Sequence, residues 1–247
     1  MIMVLLYWII GLLLTVYVSI WTIKKNREIG FTILTVLLSG YILISNILTP
    51  RLSLFNLGFT QLTVVTGSLI WPFTAQLSDM INEVYGKRKT FIAVALGYSL
   101  NLLFVLFVFM ANSTQPIWDT SMEEFWQSYF LPSGRVFLAS TVSFIVCQLI
   151  DINVFSFLKE KFRNREETSR NSALISFSSL RSVLSDVINM VCDAVLFTLL
   201  AFALVLPLDS LIDLVIGSII FKGLLSIIDT PLFALFRVSI KNIQRQE

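Results

Sequence analysis

The sequence contains no histidine, only two cysteines and few charged residues. Without histidine, the chain lacks the commonest neutral metal ligand and the usual general base of enzymes. Cys147 and Cys192 alone argue against a tetrahedral zinc site, so we expect no metal, no cofactor and no catalysis. Both cysteines lie in apolar runs, where they are expected to pack as small hydrophobic residues rather than to form a disulfide.

Charged residues make up 14% of the chain and hydrophobic residues 56%, and the mean hydropathy is +0.82. Roughly a quarter of the residues of soluble domains are charged, so a soluble protein of 28.0 kDa with this composition could not cover its surface with polar side chains. Apolar residues can face lipid at no cost, and the composition therefore indicates an integral membrane protein in a lipid bilayer. The net charge of +2 predicts no nucleic-acid partner.

Seven apolar segments are long enough for a helix that crosses the hydrocarbon core, which takes about 20 residues. Runs such as Leu102–Met110 lack the alternation that barrel strands require. We therefore expect an all-α, polytopic transmembrane bundle of about seven helices (six are possible), in a single domain over residues 1–247. The first segment is expected to stay in place rather than to be a cleaved signal peptide, because its basic residues follow it. The seven segments are Met1–Ile23, Ile29–Leu48, Thr60–Tyr85, Thr90–Ala111, Arg135–Leu158, Ser182–Leu206 and Leu211–Phe236.

Lysine and arginine are distributed unevenly between the connections. If all seven segments cross, fourteen basic residues fall on one side, against only Arg51 and Arg135 on the other. Because basic connections stay in the cytoplasm, we expect an outside N-terminus and a cytoplasmic C-terminus, in the plasma membrane of a prokaryote. The aromatic-rich connection Asn112–Gly134 is interpreted as an interfacial segment or as a lid over the outer mouth. The fourteen residues are Lys24, Lys25, Arg27, Lys87, Arg88, Lys89, Lys159, Lys161, Arg163, Arg165, Arg170, Arg237, Lys241 and Arg245.

Six acidic residues lie within the predicted spans, whereas only two basic residues, Arg181 and Lys222, lie within or beside them. A charge at the bilayer centre costs about 2.5–3.5 kcal/mol on insertion scales. Acids without a basic partner must therefore be protonated, bind a cation, or bind donor groups of a substrate. The six acids are Asp79, Glu83, Asp151, Asp186, Asp193 and Asp229.

The spacing of the polar residues places them on single faces of four helices, since residues three or four apart share a face. Four such faces predict a wet cavity between the helices. The alternative is that these side chains only join helices through hydrogen bonds, with Lys222 paired to Asp193 or Asp229. The faces are formed by Asp79 and Glu83, by Gln148 and Asp151, by Arg181, Ser185, Asn189 and Asp193, and by Lys222, Ser226, Asp229 and Thr230.

The last helices also contain a short repeat. Asp151 and Phe155 recur at the same spacing as Asp193 and Phe197 on the next helix. Consecutive helices run in opposite directions, so such a repeat would be related by an axis in the membrane plane.

The segment Trp71–Gly86 resembles the signature of the queuosine-precursor transporter family, in which an aspartate, three residues, a glutamate and Tyr-Gly precede a basic turn. Further similarities follow in family order over roughly Ile42–Arg237. Met190 and Asp186 depart from the family pattern, which leaves the substrate preference open. The similar residues are Asn46, then Gln148, Asp151 and Phe155, then Arg181, Ser185, Asp193 and Phe197, and finally Lys222 with Thr230-Pro231-Leu232.

The resemblance implies import of a small-molecule substrate, a precursor of the modified tRNA base queuosine such as 7-cyano- or 7-aminomethyl-7-deazaguanine. Asp193 or Asp151 would accept the adjacent ring N–H and amino groups, a donor would meet the carbonyl oxygen, and an aromatic ring (Phe73 and Tyr85 are further options) would stack on the base. The implied substrate-binding residues are Asp193, Asp151, Gln148, Asn46, Arg181, Lys222, Phe155 and Phe197. The implied gate or proton-coupling residues are Asp79, Glu83 and Asp229.

Several alternatives stay open at this point. No P-loop occurs in the sequence, so the chain is either a secondary or facilitative transporter that works alone or a binding subunit that docks on a separate ATP-hydrolysing module. The substrate could be another small planar heterocycle. An intramembrane enzyme is disfavoured by the lack of histidine and of a nucleophile–base pair. The coupling ion and the oligomeric state do not follow from the sequence.

Overall fold

The computed structural model describes residues 2–49, 51–56, 61–117, 119–130, 134–168, 171–204 and 206–244. These residues form eight α-helices and one two-stranded antiparallel hairpin. The helices are α1 Ile2–Lys25, α2 Arg27–Leu48, α3 Trp71–Tyr85, α4 Lys87–Asn112, α5 Thr120–Phe130, α6 Gly134–Thr168, α7 Asn171–Phe202 and α8 Leu208–Gln244. The strands are β1 Leu52–Asn56 and β2 Gln61–Val65.

Within these described ranges, six helices are long and apolar enough to cross a membrane. They are α1, α2, α4, α6, α7 and α8. The expectation of a mostly helical protein with several membrane-spanning helices is confirmed. The helices α6, α7 and α8 are longer than the apolar segments predicted for them, because polar turns continue each helix beyond its apolar part.

The predicted third span, Thr60–Tyr85, is wrong as a continuous helix, and the all-α expectation is wrong at the same place. Strand β2 is followed by a 3-10 turn, Thr66–Leu69, and only then by the 15-residue helix α3. The β-branched run Thr63-Val64-Val65 favours a strand, and Pro72 in the first turn of α3 favours a helix start there. Hydropathy alone does not distinguish these conformations, since all of them are apolar.

Helix α3 lies at the centre of the bundle. All its residues from Trp71 to Glu83 are buried, and it contacts α2, α4, α6 and α8. At 1.5 Å per residue it is about 22 Å long, which is shorter than the roughly 30 Å hydrocarbon core. The hairpin continues the chain from α3 towards one end, where β2 packs against α8. Leu62 and Val64 of β2 are buried, whereas residues of β1 such as Leu52 and Leu54 are exposed.

The predicted basic clusters meet at one end of the bundle, which we call the basic end. The hydroxyl of Tyr85, at the end of α3, donates to the carbonyl oxygen of Arg27 at the start of α2 (2.7 Å). The ammonium of Lys159 on α6 donates to the carbonyl oxygen of Glu83 (2.7 Å), and Arg237 on α8 contacts the Glu83 carboxylate. Helix α3 therefore runs between the same two ends as its neighbours, in spite of its length.

The opposite end is built around the hairpin, and we call it the hairpin end. The indole of Trp8 on α1 donates to the carbonyl oxygen of Leu69 (2.8 Å), and Tyr129 on α5 donates to that of Ile47 (2.9 Å). Helix α5 has no buried residue. Its assignment as an interfacial segment or a lid stays a prediction, and Trp118 of the same connection lies outside the described residues.

Candidate functional site

Polar side chains of α3, α6, α7 and α8 form a column between the two ends of the bundle. The column has three levels. The hairpin-end cleft contains Asp193 and Lys222, the middle cluster contains Asp151, Asp186 and Asp229, and the basic-end cluster contains Glu83 with Lys159 and Arg237. Helices α6 and α8 run towards the basic end, whereas α7 runs away from it. The three levels therefore follow one another in opposite order along the sequence of α7.

The hairpin-end cleft is centred on an ion pair. The Lys222 ammonium donates to Oδ2 of Asp193, and Ser143 Oγ donates to Oδ1 (2.9 Å). The Lys222 nitrogen also lies 5.6 Å from the ring centroid of Trp71, within the range of a cation–π contact. The Lys222 side chain is 5% exposed and that of Asp193 is 17% exposed, so the carboxylate is the member of the pair that reaches the open space.

The cleft is open but narrow. Apart from space that is open to solvent, its cavity volume is about 50 Å³. Drug-sized ligands occupy pockets of about 300–1,000 Å³, so a heterocycle can enter only if the walls separate. The walls come from α2, the 3-10 turn and the starts of α3 and α6, together with α7 and α8; they include Ser45, Gly67, Ser68, Trp71, Ser140, Phe144, Asp193, Phe197, Ser218 and Lys222.

The middle cluster is buried more deeply. Asp151, Asp186 and Asp229 are 1%, 3% and 4% exposed. Ser185 donates to Asp151 Oδ1, Ser226 donates to Asp186 Oδ2 (3.0 Å), and the Gln76 amide donates to Asp229 Oδ1. In the part of the chain that the structure describes, these donors are all neutral, in contrast to the lysine that meets Asp193.

Several buried polar atoms around the middle cluster have no hydrogen-bond partner in the part of the chain that the structure describes. A buried polar group without a partner costs roughly 1–3 kcal/mol. Such atoms on the helices that surround the three acids make the middle cluster a candidate site for a further group. The atoms are Gln76 Oε1, Gln148 Oε1, Asp151 Oδ2 and Asn189 Nδ2.

The basic-end cluster joins α3, α6 and α8. Arg237 Nε lies 2.6 Å from Glu83 Oε1, and the Lys159 nitrogen lies 3.8 Å from Oε2. Lys159 also donates to the carbonyl oxygens of Asn82 (2.9 Å) and Glu83 (2.7 Å). Asn82 in turn donates to Ser156 (2.9 Å). These contacts close the column at the basic end.

The structure brings three of the predicted substrate-binding residues together, since Asp193, Lys222 and Phe197 all line the cleft. Asn46 accepts a hydrogen bond from the cleft residue Ser140 (2.9 Å). Gln148 and Asp151 lie one level deeper, in the middle cluster.

The other predicted residues are placed differently. Phe155 is fully buried in the apolar cluster beside Phe233, with ring centroids 5.8 Å apart, and is not among the residues that line the cleft. Asp229 belongs to the middle cluster, Glu83 to the basic-end cluster, and the buried Asp79 lies between these levels on α3. Arg181 is on α7, but its side chain lies outside the described residues.

Sequence reasoning missed Trp71, Ser143 and Gln76. Trp71 begins the most polar buried helix of the bundle, and a tryptophan at that position could have been selected as a platform. Ser143 lies eight residues before Asp151, and Ser185 lies eight residues before Asp193. That repeated serine spacing was a signal for Ser143.

A family model described as "Putative vitamin uptake transporter" matches residues 65–236, which is more than half of the chain. The chain belongs to this family. The match covers α3 to α7 and α8 as far as Phe236, and therefore all the residues of the polar column except Arg237. Membership of the vitamin uptake transporter family confirms the resemblance described above and indicates a transporter.

A curated relative of the same kind comes from Bacillus subtilis (strain 168) and is named "Probable queuosine precursor transporter". It is 28% identical to this chain over 188 residues, which are 74% of this chain and 76% of the relative. No solved structure matches the chain significantly.

Proposed function

We propose that this member of the vitamin uptake transporter family imports a queuosine precursor, 7-cyano- or 7-aminomethyl-7-deazaguanine, and that it binds the base in the hairpin-end cleft. The observation that carries the proposal is the Asp193–Lys222 pair, which lies under the Trp71 ring in a cleft open to one end. The name of the Bacillus subtilis relative supports the choice of substrate.

The cleft offers the groups that a deazaguanine edge requires. Asp193 has two carboxylate oxygens and can accept both the ring N–H and the amino group. Lys222 can then donate to the carbonyl oxygen of the base. Trp71 and Phe197 offer ring faces for stacking, which contributes about 1–3 kcal/mol per base. These four residues come from α3, α7 and α8, so a bound base would hold three helices together.

Binding requires the Lys222–Asp193 pair to separate. In the present conformation Lys222 and Asp193 bind each other, and the space between the walls is too small for a heterocycle. The substrate would replace each ion with a polar group of its own, which limits the cost of breaking a buried pair. A molecule without adjacent donors cannot make this exchange, and this predicts discrimination against adenine-like bases.

The direction of import follows from the basic end. The four basic clusters, three in connections and one at the C-terminal end, predict that this end faces the cytoplasm, with the cleft open to the outside of a prokaryotic plasma membrane. We propose this orientation, with the N-terminus outside, on the contacts of Tyr85, Lys159 and Arg237 that draw the clusters together.

Uptake tests the proposal directly. The chain would be expressed in a bacterial strain that lacks both its own precursor synthesis and its own precursor transporter. We expect queuosine to appear in the tRNA of that strain when 7-deazaguanine precursors are supplied, and not in the vector control. The Asp193→Asn variant should insert normally and lose uptake, whereas Asp213→Asn, an exposed acid on α8, should behave as the wild type.

Two outcomes would contradict the proposal. One is wild-type protein in the membrane without any precursor uptake. The other is unchanged uptake by Asp193→Asn. Purified chain reconstituted alone in lipid vesicles should also take up labelled base, which separates an independent transporter from a subunit that needs an ATP-hydrolysing partner.

A further inference from the structure

We infer that the middle cluster of Asp151, Asp186 and Asp229 is a proton-binding site that couples uptake through the cleft to proton movement. The inference rests on the proposed function for its substrate. It differs from the sequence-based expectation, which gave the gate or proton role to Asp79, Glu83 and Asp229. Two of the three acids now assigned were outside that set.

The first argument is charge. The three carboxyl groups are at most 4% exposed and come from three neighbouring helices. Hydrogen bonds bring them together: Ser185, the neighbour of Asp186 on α7, donates to Asp151, and Ser226, three residues before Asp229 on α8, donates to Asp186. Like charges that share a buried site cannot all remain ionised. The serine and glutamine donors reduce the cost of one charge each, but they do not neutralise three.

The second argument is the set of unpartnered atoms. Asp151 Oδ2, Gln76 Oε1 and Gln148 Oε1 are buried acceptors without a partner among the described residues. Each could receive a hydrogen bond from a protonated carboxyl group or from a water molecule that carries the proton between levels. A proton on one of the three carboxyl groups turns that group into a hydrogen-bond donor, which matches these unpartnered acceptors.

Among the described residues, the charged groups around the cluster come from α3, α6 and α8, and the side chain of Arg181 on α7 lies outside the described residues. Helix α3 contributes Asp79 and Glu83 on the face of Gln76, and α8 contributes Lys222, one turn before Ser226. Lys222 is occupied by Asp193, and Glu83 is occupied by Arg237 and Lys159. Within the described residues, the three acids accept hydrogen bonds from Ser185, Ser226 and Gln76, none of which is a base.

The cluster is connected to the cleft through two helices. Asp186 and Asp193 are seven residues apart on α7, and Lys222 and Ser226 are four apart on α8, so each pair lies on one helix face. When a substrate separates Lys222 from Asp193, α7 and α8 lose one of their contacts. The Ser226–Asp186 hydrogen bond joins the same two helices one level deeper. When Asp186 is protonated, its carboxyl group can donate a hydrogen bond to Ser226 as well as accept one. This change at the α7–α8 contact links the two sites.

The transport step involves no covalent chemistry. A carboxylate oxygen of the cluster takes one proton from water on the hairpin side and becomes a neutral carboxyl group. After the helices rearrange, the same proton leaves to water on the basic side, where Gln76, Asp79 and Glu83 on one face of α3 extend towards that end. One proton enters and one leaves for each cycle.

Transport in vesicles tests the coupling. Purified full-length chain would be reconstituted, and labelled deazaguanine uptake would be measured with an inward proton gradient, with no gradient, and with an inward sodium gradient. We expect accumulation above equilibrium only with the proton gradient, and loss of accumulation when a protonophore is added. Asp186→Asn should lose accumulation but continue to exchange labelled for unlabelled base, while the exposed Asp213→Asn accumulates it normally.

A second measurement needs no substrate. Infrared spectra of the protein in lipid should contain a band from buried protonated carboxyl groups that titrates with pH. The band should decrease in Asp151→Asn, Asp186→Asn and Asp229→Asn, and remain in Asp213→Asn. Variants that fail in transport because they do not fold are recognised by their loss of helical circular dichroism, and the wild-type band still decides the question.

The outcomes separate the two proposals. Saturable uptake that is independent of the proton gradient, or that depends on the sodium gradient, would overturn the proton site. It would not contradict the proposed function. Absence of any deazaguanine uptake together with a titrating carboxyl band would overturn the proposed function alone. A wild type whose three carboxyl groups stay ionised throughout the titration would refute the inference whatever the substrate.

Discussion

Ser185 of α7 donates a hydrogen bond to Asp151 of α6, and the same relationship recurs with the helices exchanged. Ser143 of α6 donates to Asp193 of α7. In both helices the serine precedes the aspartate by eight residues, which is close to two helical turns and places both on one face. Two reciprocal bonds therefore fix the register of α6 against α7.

This reciprocal arrangement gives its two acids different surroundings. Asp151 lies in the middle cluster and is almost fully buried, whereas Asp193 meets Lys222 and reaches the cleft. The repeated sequence pattern thus places one carboxylate at each of two levels. We propose that the substrate binds at the level that is open to solvent, the hairpin-end cleft, and that the proton binds at the buried level, the middle cluster.

The ion pair of the cleft should contribute to the free energy of unfolding. Lys222→Met leaves Asp193 without its cation, and Asp193→Asn leaves a buried ammonium unpaired. Removing one partner of a buried pair costs about 3–5 kcal/mol, whereas removing both costs less. We expect both single variants to unfold at a lower temperature than the double variant in detergent. Additive losses in the double variant would mean that the two groups do not interact.

The Trp71 ring should determine affinity. If a base stacks on it, Trp71→Ala loses about 1–3 kcal/mol, or about 5- to 150-fold in the dissociation constant. Trp71→Phe keeps a ring and should lose less. Binding of labelled base to purified protein measures both effects. Trp21→Ala removes an exposed ring on α1 and serves as the control. Equal affinity in Trp71→Ala and the wild type would remove Trp71 from the site.

Gly67 should be intolerant of a side chain. A Cβ atom at this position would overlap Thr49 Oγ1 and lie 2.6 Å from the carbonyl oxygen of Ser45. Overpacking typically costs about 1–3 kcal/mol, so we expect Gly67→Ala to lower the unfolding temperature. At Gly40 no atom lies within 4 Å of an added Cβ, and Gly40→Ala should be neutral or stabilising, by up to about 1 kcal/mol. A stable Gly67→Ala protein would contradict this packing.

The basic-end cluster should contribute to stability through Glu83. The carboxylate contacts both Arg237 and Lys159, and its side chain is 1% exposed. Glu83→Gln leaves Arg237 short of a counter-charge, and we expect a loss of about 3 kcal/mol. Thermal unfolding in detergent measures it, with the exposed neighbour Glu160→Gln as the matched control. Identical unfolding of the two variants would show that these contacts are not strong.

The orientation can be read from two positions. In a background without Cys147 and Cys192, we expect Glu124→Cys on α5 to react with a membrane-impermeant maleimide in intact cells. Lys25→Cys at the end of α1 should react only after the cells are opened. Both residues are exposed, so access to the reagent depends on the side of the membrane. The reverse labelling pattern would place the basic end outside.

The sequence by itself determined the membrane class, the position of six long helices and the acids that need a partner. Apolar length and charge distribution decide these properties locally, because the free energy of placing a residue in lipid depends mainly on the residue itself. Asp193 and Lys222 could be selected for the same reason, since any charge within a span requires compensation.

Only the tertiary structure decided which charges meet. From the sequence, Lys222 could pair with Asp193 or with Asp229. The way α7 packs against α8 places Asp193 next to the Lys222 ammonium. The hairpin and the short helix α3 could not be predicted from the sequence either. Strand, 3-10 turn and helix have similar hydropathy here, and contacts with neighbouring elements decide which of them forms. The separation of the acids into a cleft, a closed cluster and an ion-paired end depends on helix contacts between residues up to 154 positions apart in the chain, as in the Arg237–Glu83 pair.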